Sequence, residues 1–144
     1  MSLKTATPER DPQELAADPR LSAFVTANAG SGKTKTLIDR VARLLLAEVA
    51  PEAILCVTYT KAAAAEMQRR LFEVLGGWSV ADDRVLRAAL GKLQDRPAAS
   101  FDARSLSEAR ALFARALETP GGLKIQTIHA FCEKLLRRFP LEAG

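Results

Sequence analysis

The chain is poor in the residues on which several chemistries depend. Two cysteines, Cys56 and Cys132, and one histidine, His129, occur in 144 residues. They are scattered, so neither a disulfide framework nor a zinc site is expected, and reduced thiols are. No apolar stretch approaches the roughly 18 residues of a membrane-spanning helix. The opening segment Met1–Pro8 lacks the apolar core of a secretory signal. Thiols and missing signal together lead to an expected cytoplasmic location. Charge is not extreme either. The net value of +4 permits a polyanionic partner without demanding one. Internal repeats and low-complexity tracts are absent.

What remains is an ordinary globular composition, 48% hydrophobic and 26% charged. A chain of about 150 residues can bury roughly 70% of its extended surface. Residues 1–11 read as a flexible leader. Pro12–Ala17 reads as a short helix stopped by Asp18-Pro19. Ala23–Thr26 has the apolar character of a first strand, and a helix is expected over about 33–48, before Pro51. Ala53–Tyr59 is an apolar run without alternation, as in a parallel strand covered on both faces. Ala62–Leu75 is rich in helix formers, and Gly76-Gly77 is expected to close that helix. The stretch 79–118 reads as a helical insertion in two pieces. These are Val80–Leu93 and Leu106–Leu117, with Ser105 as N-cap, separated by a polar break over 94–104. After the turn Pro120–Gly122 come a third strand, Leu123–Thr127, and a helix, Ile128–Phe139, ended by Pro140. Strands alternating with helices predict an α/β fold with a parallel sheet.

The most informative segment is Ala27-Asn28-Ala29-Gly30-Ser31-Gly32-Lys33-Thr34. It stands between the first expected strand and an amphipathic helix, where phosphate-binding loops occur. Small residues let backbone N–H groups turn inward around an anion, and the following helix aims its positive end at the same place. Ala27 replaces the first glycine of the strict pattern. Ala29, Gly30, Ser31 and Gly32 would cradle phosphates together with Lys33, Thr34 and Lys35. Lys33 would reach the terminal phosphates and the Thr34 hydroxyl would sit on Mg²⁺, the catalytic roles of this loop. ATP and Mg are therefore the expected cofactors.

Two further segments extend the pattern. Ile54–Met67, which contains Val57-Thr58-Tyr59-Thr60-Lys61-Ala62-Ala63, and Ile125-Gln126-Thr127-Ile128-His129-Ala130-Phe131-Cys132 follow the loop in order and spacing. Together the three resemble superfamily I DNA helicases of the UvrD/Rep type, and most nearly their AddA branch, which belongs to helicase-nuclease complexes. The resemblance runs from about Pro12 to Gly144. It implies a P-loop NTPase (RecA-like) motor domain, of which residues 12–144 would be the N-terminal part. It also implies ATP-driven movement on single- or double-stranded DNA in double-strand break repair and recombination, and an AddB-like nuclease partner.

By the same resemblance, Gln13 would hold adenine through paired amide hydrogen bonds. Thr58, Tyr59, Thr60, Lys61, Thr127 and His129 would face DNA, with the Tyr59 ring as a base-stacking surface. Lys61 and Ala62 stand where the family pattern more often has Asn and Lys, so the positive charge is displaced by one residue. Ala62–Ala65 reads as a small-residue packing face, Phe131 as core and Trp78 as a hydrophobic anchor. Glu66 reads either as part of the network at the loop or as a surface glutamate. Lys134, Arg137 and Arg138 form a basic helix face, most simply a solvated one. No apolar strand ends in the paired Asp-Glu that such motors use for hydrolysis. Asp82-Asp83 lies in a polar helical setting. The chain taken alone is thus expected to bind nucleotide weakly and hydrolyse little, as an N-terminal piece of a larger motor. A small P-loop phosphotransferase and a non-catalytic nucleotide- or DNA-binding module are the competing readings. The phosphotransferase reading gives no obvious use to Tyr59 and His129, and the missing acidic pair supports the binding-module reading for the chain alone.

Overall fold

Apolar residues at helical spacing in four segments meet in one core. The computed structural model describes residues 11–26, 28, 30 and 32–139. The expected leader therefore lies outside the described residues, apart from Asp11. In chain order the elements are α1 (Pro12–Ala17), α2 (Lys33–Leu46), β1 (Leu55–Thr58), α3 (Lys61–Val80), α4 (Asp83–Gln94), α5 (Ala103–Leu117), β2 (Lys124–Thr127) and α6 (Ile128–Arg138). Short 3₁₀ turns occupy Pro51–Ala53 and Ala98–Ser100.

Leu71, Leu75 and Trp78 of α3 interlock with Leu86 and Leu90 of α4, Leu106, Ala109 and Leu112 of α5, and Val41 and Leu45 of α2. Each leucine sealed from water in this way contributes about 2 kcal/mol. Phe72 and Phe113 meet edge to face at 6.0 Å between ring centroids, which fixes α3 against α5. The Arg96 guanidinium lies 5.0 Å over the Phe101 ring and anchors the turn after α4.

β1 and β2 form a parallel pair with Leu55 opposite Lys124 and Thr58 opposite Thr127. Helices with a two-stranded parallel sheet agree with the α/β class. The expected strand Ala23–Thr26 is not formed. A strand exists through its ladder, no described segment pairs with this one, and its residues are exposed, Phe24 at 94%. Nor is the second strand covered on both faces. Side chains alternate along a strand, and Leu55 and Val57, which share a face, are each 43% exposed.

Four helix boundaries also move, the first being that α4 starts at Asp83, capped by Asp82, and not at Val80, which ends α3. α3 runs through Gly76-Gly77 to Val80 because Trp78 must reach the core. Burial of that ring outweighs the helix cost of two glycines, about 1 kcal/mol each. α2 ends at Leu46, where Glu48 takes a left-handed φ of 61°. α5 starts at Ala103, capped by the Asp102 carboxylate rather than by Ser105, whose N–H donates to Asp102 at 2.8 Å. A carboxylate accepts that bond more strongly than a hydroxyl. Within Ala62–Ala65 only Ala64 is buried, so the small-residue face is narrower than its composition suggests.

Candidate functional site

Helix caps single out one end. α1, α3, α4, α5 and α6 each begin with a side chain that accepts a backbone N–H. Only α2, among the helices of the described residues, starts without one. Its N-cap is Gly32 in the left-handed region at φ 86°. Gly30, two residues before, is also left-handed at φ 81°. Backbone turned in this sense is open to glycine and strained for other residues, and it is how successive N–H groups come to face one point. Ala29 and Ser31, assigned to this cradle from sequence, lie outside the described residues, as does Ala27.

Lys33 and Thr34 open α2 and are exposed. The Lys33 Nζ donates to the Asn28 carbonyl at 3.2 Å, so its ammonium folds back over the loop. Thr36 donates its hydroxyl to the Gly32 carbonyl at 3.2 Å and fixes the first turn. Lys35 pairs with Asp39 one turn further on, along the helix surface. Gln13 comes to the loop from α1. A Cβ placed on Gly32 would lie 3.6 Å from the Gln13 Nε2, so the amide stands beside the loop glycine.

A second group gathers at the carboxyl ends of the two strands. The register puts Thr58 next to Thr127. Thr58 donates to the Thr60 carbonyl at 3.0 Å, Thr60 caps α3 through the Ala63 N–H at 3.1 Å, and Thr127 caps α6 through the Ala130 N–H at 3.2 Å. The Thr60 and Thr127 hydroxyl oxygens thus accept bonds that hold helices, and each keeps an O–H to donate. Tyr59, at 87% exposure, projects beyond this edge, and Lys61 and His129 are exposed beside it. Ligands of parallel sheets gather at this end of the strands. The two groups are connected through the packing of α2 on α3.

The UvrD/REP helicase N-terminal domain profile matches residues 9–144. The chain belongs to this family. It is 36% identical over 132 residues to the AddA component of the ATP-dependent helicase/nuclease of Desulforudis audaxviator, covering 89% of this chain and 9% of that protein. The protein of the same name from Enterococcus faecalis is 36% identical over 116 residues, covering 81% of this chain and 7% of that protein. DNA helicase II of Escherichia coli K12 is 45% identical over 65 residues, covering 44% of this chain and 9% of that protein. The chain therefore spans less than a tenth of the length of these relatives. No solved structure gives a significant match.

In this UvrD/REP-type chain the remaining candidates take defined places. Glu66 is a surface residue clamped by Arg69 and Arg70, and these partners bring its carboxyl down to about 2. Among the described residues its hydrogen-bond partners are these two arginines. The basic face of α6 is partly neutralised, because Arg137 pairs with Glu133 at 2.6 Å, while Lys134 keeps its charge and donates to the Gln126 amide oxygen at 2.9 Å. Trp78 is buried as an anchor, Phe131 only half-buried, and burial pushes the Cys56 thiol up.

Two residues outside every motif also bear on the site. Arg40 donates to the carbonyls of Ala16, Asp18 and Leu21, at 3.1, 2.7 and 2.6 Å. Arg43 donates to the carbonyls of Leu93 at 2.7 Å and Glu14 at 3.2 Å. Their one signal in the sequence is a spacing of three, which places both along the flank of the buried stripe Ile38, Val41, Ala42 and Leu45.

Proposed function

We propose that residues 12–144 form the nucleotide-binding part of the first RecA-like, P-loop NTPase motor domain of an ATP-dependent DNA helicase of the AddA helicase/nuclease type. In this reading residues 79–118 are its helical insertion. The observation that carries the proposal is the uncapped start of α2. Two left-handed glycines precede it, the Lys33 ammonium lies over it, and the Gln13 amide stands beside it.

These groups fit MgATP. The α2 N–H groups and Lys33 supply positive charge for phosphates. Thr34 offers a hydroxyl to Mg²⁺. Gln13 offers a donor and an acceptor side by side, which suits the edge of adenine. ATP when bound supplies the phosphoanhydride whose cleavage drives the motor. This chain's residues hold and orient it, and the acidic pair for hydrolysis is not among them, so turnover by the chain alone is expected to be low.

Single- or double-stranded DNA would run past the strand ends, where the exposed Tyr59 ring stacks on bases, Lys61, His129 and the Thr60 hydroxyl face the backbone, and Thr58 and the buried Thr127 shape the edge from within. Repair and recombination of double-strand breaks, an AddB-like nuclease partner and a cytoplasmic location complete the reading. Family membership and the exposed Tyr59 favour it over a small phosphotransferase. A non-catalytic binding module remains the second reading for the chain alone, on the missing acidic pair.

The test is binding by the chain and two variants. Lys33→Ala should weaken ATP binding by about tenfold or more, with DNA affinity retained. Tyr59→Ala should lower single-stranded DNA affinity by about tenfold at low salt, with ATP affinity retained. Unchanged ATP affinity in Lys33→Ala sinks the nucleotide site, and unchanged DNA affinity in Tyr59→Ala sinks the DNA path.

A further inference from the structure

The helix that carries Gln13 cannot place it unaided. α1 has six residues, far below the about 12–15 at which an isolated helix becomes even marginal in water. Its position must come from tertiary ties, and the strongest of these lead to two guanidinium groups of α2. Arg40 reaches across to the last turn of α1 and the bend that follows, and donates to the carbonyls of Ala16, Asp18 and Leu21. Arg43 adds the carbonyl of Glu14, and with its Nε fastens α2 to the end of α4 at Leu93. The bend is itself pinned. Arg20 pairs with Asp18 at 2.7 Å, and this partner holds the Asp18 carboxyl well below the usual carboxylate range.

A fork of five N–H donors can bridge three carbonyls that face different ways, whereas an ammonium presents all its donors from one point. Positive charge at the carboxyl end of α1 is also favoured by that helix's dipole. Arg40 lies on the same rigid helix whose first residue is Lys33. The phosphate-facing end and the Gln13-bearing segment are thereby set by one element, with the Gln13 amide beside Gly32.

We propose that Arg40 is a positioning residue for base selection. Through the α1 carbonyls it registers the Gln13 amide against the phosphate loop, so that the site prefers adenine to guanine nucleotides. This rests on the reading of Gln13 as the adenine contact. Arg40 touches no nucleotide in this role. It converts binding of a triphosphate into binding of one particular base.

The test measures three affinities on the chain: ATP, GTP and inorganic tripolyphosphate. Gln13→Ala provides the reference, and its ATP preference should fall by about tenfold, the worth of one amide–base hydrogen-bond pair. Arg40→Ala should lose the same preference while tripolyphosphate affinity stays within about twofold of the unaltered chain. The double variant should be no worse than either single, because both remove one interaction. Arg40→Lys keeps the charge but not the fork and should also lose the preference. It carries the test alone if Arg40→Ala fails to fold.

Retention of the ATP preference in Arg40→Ala, or its full restoration in Arg40→Lys, overturns the proposal and leaves the Gln13 reading intact. So does a matching fall in tripolyphosphate affinity, which would mark Arg40 as a support of the whole site. An unaltered chain without ATP preference, or a Gln13→Ala variant that keeps it, defeats the adenine reading itself and the proposal with it.

Discussion

Alanine at Gly77 and alanine at Gly91 are one chemical change on two helices, and the structure gives them opposite signs. Gly77 lies on the exposed side of α3, and a Cβ added there meets nothing within 4 Å. Alanine is preferred to glycine inside a helix by about 1 kcal/mol, so Gly77→Ala should stabilise by about that amount. Gly91 is buried in α4, and a Cβ there would stand 2.8 Å from the Arg96 carbonyl and 3.4 Å from the Ala98 nitrogen. Both atoms are backbone, in a turn whose Arg96 N–H donates to the Gly91 carbonyl at 3.0 Å, so they cannot swing aside as a side chain would. Overpacking of this kind costs about 1–3 kcal/mol, against about 1 kcal/mol gained in propensity, and the net loss approaches about 2 kcal/mol.

Urea unfolding followed by the single tryptophan, Trp78, and by far-UV circular dichroism reads both variants. With a slope of about 2 kcal/mol per molar, the Gly77→Ala midpoint should rise by about half a molar and the Gly91→Ala midpoint should fall by as much or more. A lowered midpoint for Gly77→Ala would mean that α3 stops at the glycine pair, since alanine in a left-handed cap costs about 1 kcal/mol. A raised midpoint for Gly91→Ala would mean that the Arg96 turn yields, and the steric argument fails.

Leu71→Ala, at a side chain sealed between α3 and its neighbours, should cost about 3–5 kcal/mol, read as a loss of cooperative unfolding or a large midpoint shift. The Glu66 carboxyl, brought by Arg69 and Arg70 from 4.5 to about 2, holds fewer protons folded than unfolded. Its contribution is therefore full above pH 4.5 and disappears as pH falls toward 2. The stability gap between the chain and Glu66→Gln should accordingly be small at neutral pH, because the pairs are exposed, and should close across that window. A gap that widens on acidification would refute the assignment.

Helix identity and order were legible in the chain because amphipathic spacing, caps and prolines are local signals. Gly32 and Lys33 could be assigned to one site from the loop motif, Gln13 joined them only through the family resemblance, and the structure brings Gln13 to Gly32. Local rules failed where a distant partner decided the outcome. Ala23–Thr26 has strand composition, but a ladder needs a neighbour and composition supplies none. Gly76-Gly77 carries the signature of a helix end, yet Trp78 beyond it belongs to a core built by α4 and α5. Leu55 and Val57 read as covered on both sides because apolar residues announce burial without saying what does the covering. Arg40 and Arg43 showed nothing beyond their spacing for a related reason. Their partners are main-chain carbonyls, which every residue carries and no sequence pattern marks.

The parallel ladder has one more consequence. The chain leaves β1 at Thr58, passes through three helices that make most of the apolar interior among themselves, and returns at Lys124 to only four residue pairs. Closing so long a detour is entropically opposed, and so short a seam returns little until the helices have already docked. Assembly should therefore proceed from the helical wedge outward, with the strands zipped last and their amides the first to exchange with deuterium. The edge that bears Tyr59 and His129 would then be the most yielding part of the fold, able to shift its grip without disturbing the interior behind it.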